Sequence, residues 1–212
     1  MSSKEDGKEG REFSFTNQDF NRVCKLIYDH AGISLSDSKQ ELVYSRLSRR
    51  LRATGVANFG EYLVLLESNN SAEWEEFTNS LTTNLTSFFR EPHHFPLLAE
   101  YLRSIPRNRP VSLWCSAAST GEEPYTMAMT VIDALGRDAS QVTILATDLD
   151  TNVIATAQAG IYPEERISKL PEDLVKRFFP TSLIGGKSPY SSLPVLHEPY
   201  LLARLCPAEK IV

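Results

Sequence analysis

Cysteine is scarce in this chain: three in 212 residues, Cys24, Cys115 and Cys206, odd in number and with no Cys-x-x-Cys spacing. That excludes a disulfide framework and the usual zinc-ligand pattern, and it points to a reducing compartment. Long apolar runs are absent, since none approaches the roughly 20 residues that span a bilayer. The opening stretch, MSSKEDGKEGREF, lacks the apolar centre of a signal peptide. Basic charge is not in excess: 22 Lys and Arg against 27 Asp and Glu leave a net charge of −5. The molecule as a whole is therefore no generic polyanion binder, and nucleic acid is not an expected partner. The adjacent pair His93-His94 has no third ligand nearby, so capping or packing is expected there and a metal is not. What remains is a soluble, cytosolic chain long enough for one large domain or two small ones.

Glycine is also missing where a dinucleotide site would need it. Val111 to Trp114 is a short apolar run leading into Ser116-Ala117-Ala118-Ser119-Thr120-Gly121, and a helical pattern follows. A second apolar run, Val142 to Ala146, ends at Asp148. This is the strand–loop–helix–strand order of a nucleoside-binding unit. Small loop residues allow a ligand close to the backbone, and an acid at the tip of the second strand can accept from both ribose hydroxyls. With one glycine the loop is not G-x-G-x-x-G and lacks the usual pyrophosphate grip. Glu122-Glu123 opens the helix, where carboxylates suit the positive end of the dipole. They would repel a pyrophosphate. S-adenosylmethionine, with a ribose, a sulfonium and no phosphate, fits this loop better than a dinucleotide.

Ahead of this unit the periodicity is helical. Segments capped near Thr16 or Asn17, then about Ser38 to Ala53, Phe59 to Ser68 and Ala72 to Thr83, each carry apolar residues three or four apart. Lys39, Arg46, Arg49 and Arg50 lie broadly on one face of the second helix. Such a face is either simply solvated or a dock for an acidic partner. Asn84, Thr86 and Arg90 alternate as in an extended segment and are placed to line a pocket beside Phe88 and Phe89. After Phe179 the period is lost except for an apolar cluster at Tyr200 to Leu205, so a poorly ordered tail is expected.

Three stretches, Asn84 to Glu91 with His94-Phe95, Trp114 to Tyr125, and Ala146 to Asp150, together resemble the CheR-type chemotaxis receptor glutamate methyltransferases. The likeness covers about residues 16–179. It implies an α/β protein: an N-terminal all-helical domain followed by an incomplete Rossmann-like methyltransferase domain. The corresponding segments are a disordered tail at 1–15, a helical receptor-docking domain at 16–83 and a linker at 84–96 lining the cofactor pocket. Then come a partial methyltransferase domain at 97–179 and an unmatched tail at 180–212. The cofactor implied is S-adenosylmethionine, with contacts from Asn84, Thr86, Arg90, Glu123 and Asp148. Arg90 orients either the substrate carboxylate or the cofactor's own. The activity implied is methyl transfer to glutamate side chains on the cytoplasmic helical domain of methyl-accepting chemoreceptors, by a monomer recruited to receptor arrays. Lys39, Arg46, Arg49 and Arg50 match the basic second helix that docks the receptor. The family continues beyond the matched text, so the sequence reads as truncated, with a shifted reading frame near codon 180 as the expected cause. The alternative is a non-catalytic fragment that only docks acidic receptor helices.

Overall fold

The computed structural model describes residues 10–68, 71–106, 108–179, 190–192 and 202–207. The chain divides into two compact units, 1–83 and 84–212.

The first unit is helical: α1 (Asn17–Ala31), α2 (Gln40–Thr54), α3 (Phe59–Glu67) and α4 (Ser71–Leu81). Thr16 and Asp19 form a reciprocal capping box at the start of α1, satisfying two backbone donors that the helix cannot. Gly32 and Gly55 end α1 and α2 in left-handed conformation, at φ 69° and 72°. The apolar stripes meet in one core, with Phe15, Ile27, Leu47, Leu51, Tyr62 and Phe77 fully enclosed. Each such side chain is worth about 1.5–3 kcal/mol of transfer free energy.

The second unit carries α5 (His94–Ser104), β1 (Val111–Cys115), α6 (Glu122–Leu135), β2 (Val142–Asp148), α7 (Thr151–Ala159) and β3 (Ile161–Pro163). After these come α8 (Glu164–Ile167), α9 (Glu172–Phe178), β4 (Tyr190–Ser192) and β5 (Leu202–Pro207). β1 and β2 pair in parallel from Val111↔Val142 to Cys115↔Ala146, with α6 as their crossover. Leu102, Ala128, Val131 and Ile144 form the core beneath them. A second cluster, including Phe88, Met129, Tyr162, Phe178 and Phe179, covers another part of α6. With clusters on two sides of it, α6 buries apolar Tyr125, Ala128, Met129 and Val131 together with polar Glu122, Thr126 and Thr130.

The tail expectation is corrected here. Leu202–Pro207 adds a third parallel strand, paired with β2 from Thr143↔Leu202 to Asp148↔Pro207, in the order β1-β2-β5. Tyr190–Ser192 pairs antiparallel with β3. A strand-length apolar run beside prolines has no local period long enough to declare itself, and its partner lies far away in sequence. The rest of the predicted tail, like most of the predicted disordered start, lies outside the described residues.

Candidate functional site

In open parallel sheets, ligands bind beyond the carboxyl ends of the strands. At that end β2 delivers Asp148. Its Oδ2 accepts from the Ser119 backbone N–H at 2.8 Å and its Oδ1 from the Asp150 N–H at 3.0 Å. Asp150 in turn accepts from the Asn152 N–H at 3.0 Å, capping α7, and from the Asn84 side-chain amide at 2.6 Å. The Ser119 hydroxyl donates to the Asn84 carbonyl at 3.3 Å, which closes the ring. Asp148 and Asp150 are 8% and 4% exposed. An ionised carboxylate has about four lone-pair directions, so Asp148 keeps acceptor capacity after its two backbone bonds. That fits a diol such as the ribose hydroxyls.

The acidic turn separates into two roles. Glu122 is 1% exposed and faces inward. It accepts from the Thr120 hydroxyl at 2.6 Å and from Arg166 at 3.2 Å. Glu123 is exposed and receives a weak hydrogen bond from the Cys115 thiol at 3.7 Å. It borders a cleft of about 320 Å³ with Arg90, Glu91, His94, Phe95, Leu98 and Met127. Burial, then the Glu123 charge, pushes the Cys115 thiol up to about 12. Burial likewise lifts the Tyr125 phenol to about 12 and the Tyr162 phenol well above its ordinary value.

At Gly121 the space beside the backbone is taken up by the protein itself. Its φ is +101°, and a Cβ there would lie 2.5 Å from the Tyr162 hydroxyl and 3.0 Å from Tyr125 and Ala157. Tyr162 donates to the Thr120 carbonyl at 2.6 Å, and Tyr125 to the Ala157 carbonyl at 2.8 Å.

The segment after Asn84 is not one extended face. It turns at Ser87, where the Arg90 N–H donates back to the Ser87 carbonyl at 3.3 Å. The successive aromatics take different partners there. Phe88 packs edge-on against Tyr162 and Phe179, while Phe89 packs against Phe95. Phe89 and Glu91 adopt φ of 51° and 52°, conformations that non-glycine residues hold only under structural constraint. Between them Arg90 is exposed and donates to the Leu85 carbonyl at 3.0 Å, leaving further guanidinium donors for a ligand. Thr86 is half-buried and is held by its carbonyl, which accepts from Arg166 at 3.3 Å. His93 makes no capping bond; it stacks edge-on against His94, which lines the cleft. Among the described residues no group of three potential metal ligands converges.

In the helical unit the basic residues divide. Arg50 forks onto Glu73 at 2.8 and 3.1 Å and reaches Glu76 at 3.0 Å. Arg46 donates to the Thr82 carbonyl at 2.6 Å, satisfying the end of α4. Lys39 and Arg49 are exposed. Lys39 precedes α2, in the short 3-10 turn Asp37–Lys39, and helical spacing does not say which of the basic residues the domain itself engages.

Sequence reasoning does not single out Ser119, Glu122, Asp150 and Arg166 as hydrogen-bond partners around the expected residues. Asp150 had a legible signal, an N-cap acid immediately before the helix at Thr151. Arg166 had none.

Residues 18–82 match the family described as CheR methyltransferase, all-alpha domain, and residues 84–187 match CheR methyltransferase, SAM binding domain. The chain is 51% identical over 175 residues to the chemotaxis protein methyltransferase of Klebsiella aerogenes, covering 82% of this chain and 58% of that protein. It is 51% identical over 170 residues to chemotaxis protein methyltransferase 2 of Pseudomonas aeruginosa, covering 80% and 60%. The Salmonella typhimurium chemotaxis protein methyltransferase is 47% identical over 184 residues, covering 86% and 62%. The chain thus spans about three fifths of the length of the curated relatives it matches. Among the described residues, no helix is long and apolar enough to cross a membrane. With two domains matched in the family's order and relatives near half identical, the chain belongs to the CheR methyltransferase family.

Proposed function

We propose that this chain binds S-adenosylmethionine at the carboxyl ends of β1 and β2 and serves methyl transfer to glutamate side chains on the cytoplasmic helical domain of chemoreceptors. The observation that carries this reading is the closed hydrogen-bond ring joining Asn84, Ser119, Asp148 and Asp150. It holds the ribose acceptor in one orientation at the strand tips, and Arg90 and Glu123 border a cleft of their own in the same unit.

S-adenosylmethionine supplies an electrophilic methyl on a cationic sulfonium. Glu123 places a carboxylate on the cleft wall, which favours a cationic ligand there. Arg90 orients a carboxylate, that of the substrate glutamate or that of the cofactor. Phe95, Leu98 and Met127 give the cleft an apolar side that excludes water. A glutamate carboxylate is already anionic at neutral pH, so alignment does the work and no strong general base is needed. Among the docking residues, exposed Lys39 and Arg49 are the ones available to an acidic receptor helix, while Arg46 and Arg50 shape the surface indirectly. The protein acts at receptor arrays from the cytoplasm, as a monomer.

Calorimetry with S-adenosylmethionine and S-adenosylhomocysteine tests the cofactor reading. Saturable binding of both is expected, and Asp148→Asn should weaken both. If the chain binds neither, the cofactor reading falls and the non-catalytic docking module takes its place. Transfer of labelled methyl to a receptor cytoplasmic fragment, read as base-labile label, tests the activity itself.

A further inference from the structure

We infer that Arg166 is a positioning residue for the cofactor site, holding the Thr86–Arg90 segment against the first turn of α6. The inference rests on the proposed cofactor reading. Arg166 sits on α8, within the region matched over 84–187 but outside the stretches Asn84–Glu91, Trp114–Tyr125 and Ala146–Asp150. One nitrogen, Nη1, donates to the Thr86 carbonyl at 3.3 Å and to Glu122 Oε1 at 3.2 Å. Glu122 is 1% exposed and fixed from its other side by the Thr120 hydroxyl. Arg166 therefore links three segments that sequence keeps apart: its own α8, the acidic turn at Glu122 that opens α6, and the segment bearing Thr86 and Arg90.

A second tie runs in parallel. The Phe89 N–H donates to the Thr126 hydroxyl at 3.1 Å, and that hydroxyl donates to the Glu122 carbonyl at 2.7 Å. Both ties end on Glu122, one on its side chain and one on its backbone. Phe89, the anchor of the second tie, and Glu91 just beyond it hold positive φ on either side of Arg90. A segment held in sparsely populated conformations needs surrounding structure to keep it there. Arg166 provides the part of that restraint that acts on Thr86, and it also sets a cation against a buried carboxylate.

These two effects are separable. Arg166→Gln removes both the cation and the tie. Adding Glu122→Gln removes the unpaired buried carboxylate but does not restore the tie to Thr86. Binding of S-adenosylhomocysteine by calorimetry, Tm, and amide exchange over residues 85–91 are measured for both variants and the unaltered chain. The expected result is a Kd raised on the order of tenfold in Arg166→Gln, since small misplacements of positioning groups carry penalties of that size or larger. Exchange over 85–91 should be faster. In the double variant Tm should recover while Kd and exchange do not. If Kd returns with Tm, Arg166 is only a charge partner for Glu122 and the inference is overturned. Unchanged Kd in Arg166→Gln overturns it as well, with the cofactor reading intact. Failure of the unaltered chain to bind removes both.

Discussion

Gly121→Ala is the most demanding test of how the loop between β1 and α6 is built. The new Cβ would meet the Tyr162 hydroxyl at 2.5 Å, Ala157 at 3.0 Å and Tyr125 at 3.0 Å. The backbone would also have to stay at φ +101° with a side chain attached, which costs about 1–3 kcal/mol. Relief of the closest contact requires Tyr162 to move. That sacrifices its 2.6 Å bond to the Thr120 carbonyl in a buried setting, at a cost of about 1–3 kcal/mol. The two contributions together come to roughly 2–6 kcal/mol, a large share of a typical domain's 5–15 kcal/mol. Urea unfolding followed at Trp114, in a Trp74→Phe background, reads the second unit. The companion variant Gly121→Ala/Tyr162→Phe removes the atom at 2.5 Å. If steric conflict with that hydroxyl dominates, the pair will lose less than the sum of the two single changes. A loss under about 1 kcal/mol for Gly121→Ala, or strict additivity of the pair, would refute the packing account.

Three further outcomes follow from the same geometry. Cys115 should resist alkylation near neutral pH. Its folded value of about 12 lies above the ordinary 9.0, so its contribution to stability is complete below pH 9 and is lost between pH 9 and 12. The slope is about 1.4 kcal/mol per pH unit, and its absence in Cys115→Ala on alkaline unfolding is the check. Glu73→Gln should destabilise the helical unit by about 3 kcal/mol, because Glu73 is 7% exposed and receives both the Arg50 fork and a 2.6 Å bond from Tyr62. A thermal shift below one degree would contradict that. Asp150→Ala should cost about 1 kcal/mol through the lost α7 cap and should weaken S-adenosylhomocysteine binding more than a cap alone can explain. Calorimetry on Asp150→Ala beside Asp150→Ser, which restores the cap but not the bond to Asn84, separates the two.

The fold class was legible because its cues are local. Helical stripes, two strand-length apolar runs and the acid at the second strand's end each declare themselves within a few residues. The site's wiring was not, because it is made of long-range pairs. Asn84 meets Asp150 across 66 positions, and Arg166 meets Thr86 across 80. The basic helix shows the same limit: its periodicity groups Arg46, Arg49 and Arg50, but only packing reveals that Glu73 lies against Arg50. β5 hid for a related reason, since its pairing partner supplies the order that its own sequence does not advertise.

The site's left-handed backbone is not confined to glycine. Left-handed backbone is expected at glycine, yet Ser119, Phe89 and Glu91 hold φ of 49°, 51° and 52°. All three lie in stretches that carry the family likeness. Each such residue costs about 1 kcal/mol or more relative to glycine, so the strain is concentrated where the site is built. Ser119→Gly tests whether it is tied to binding. Relief of strain should offset the lost hydroxyl bond to Asn84, leaving Tm within a few degrees. The loop should meanwhile sample more conformations, and the Ser119 N–H should hold Asp148 less firmly. S-adenosylhomocysteine should then bind several-fold more weakly, with a larger entropic penalty by calorimetry. If Ser119→Gly binds as tightly as serine, the left-handed serine is incidental to the site, and closure of the ring through its hydroxyl is not needed for binding.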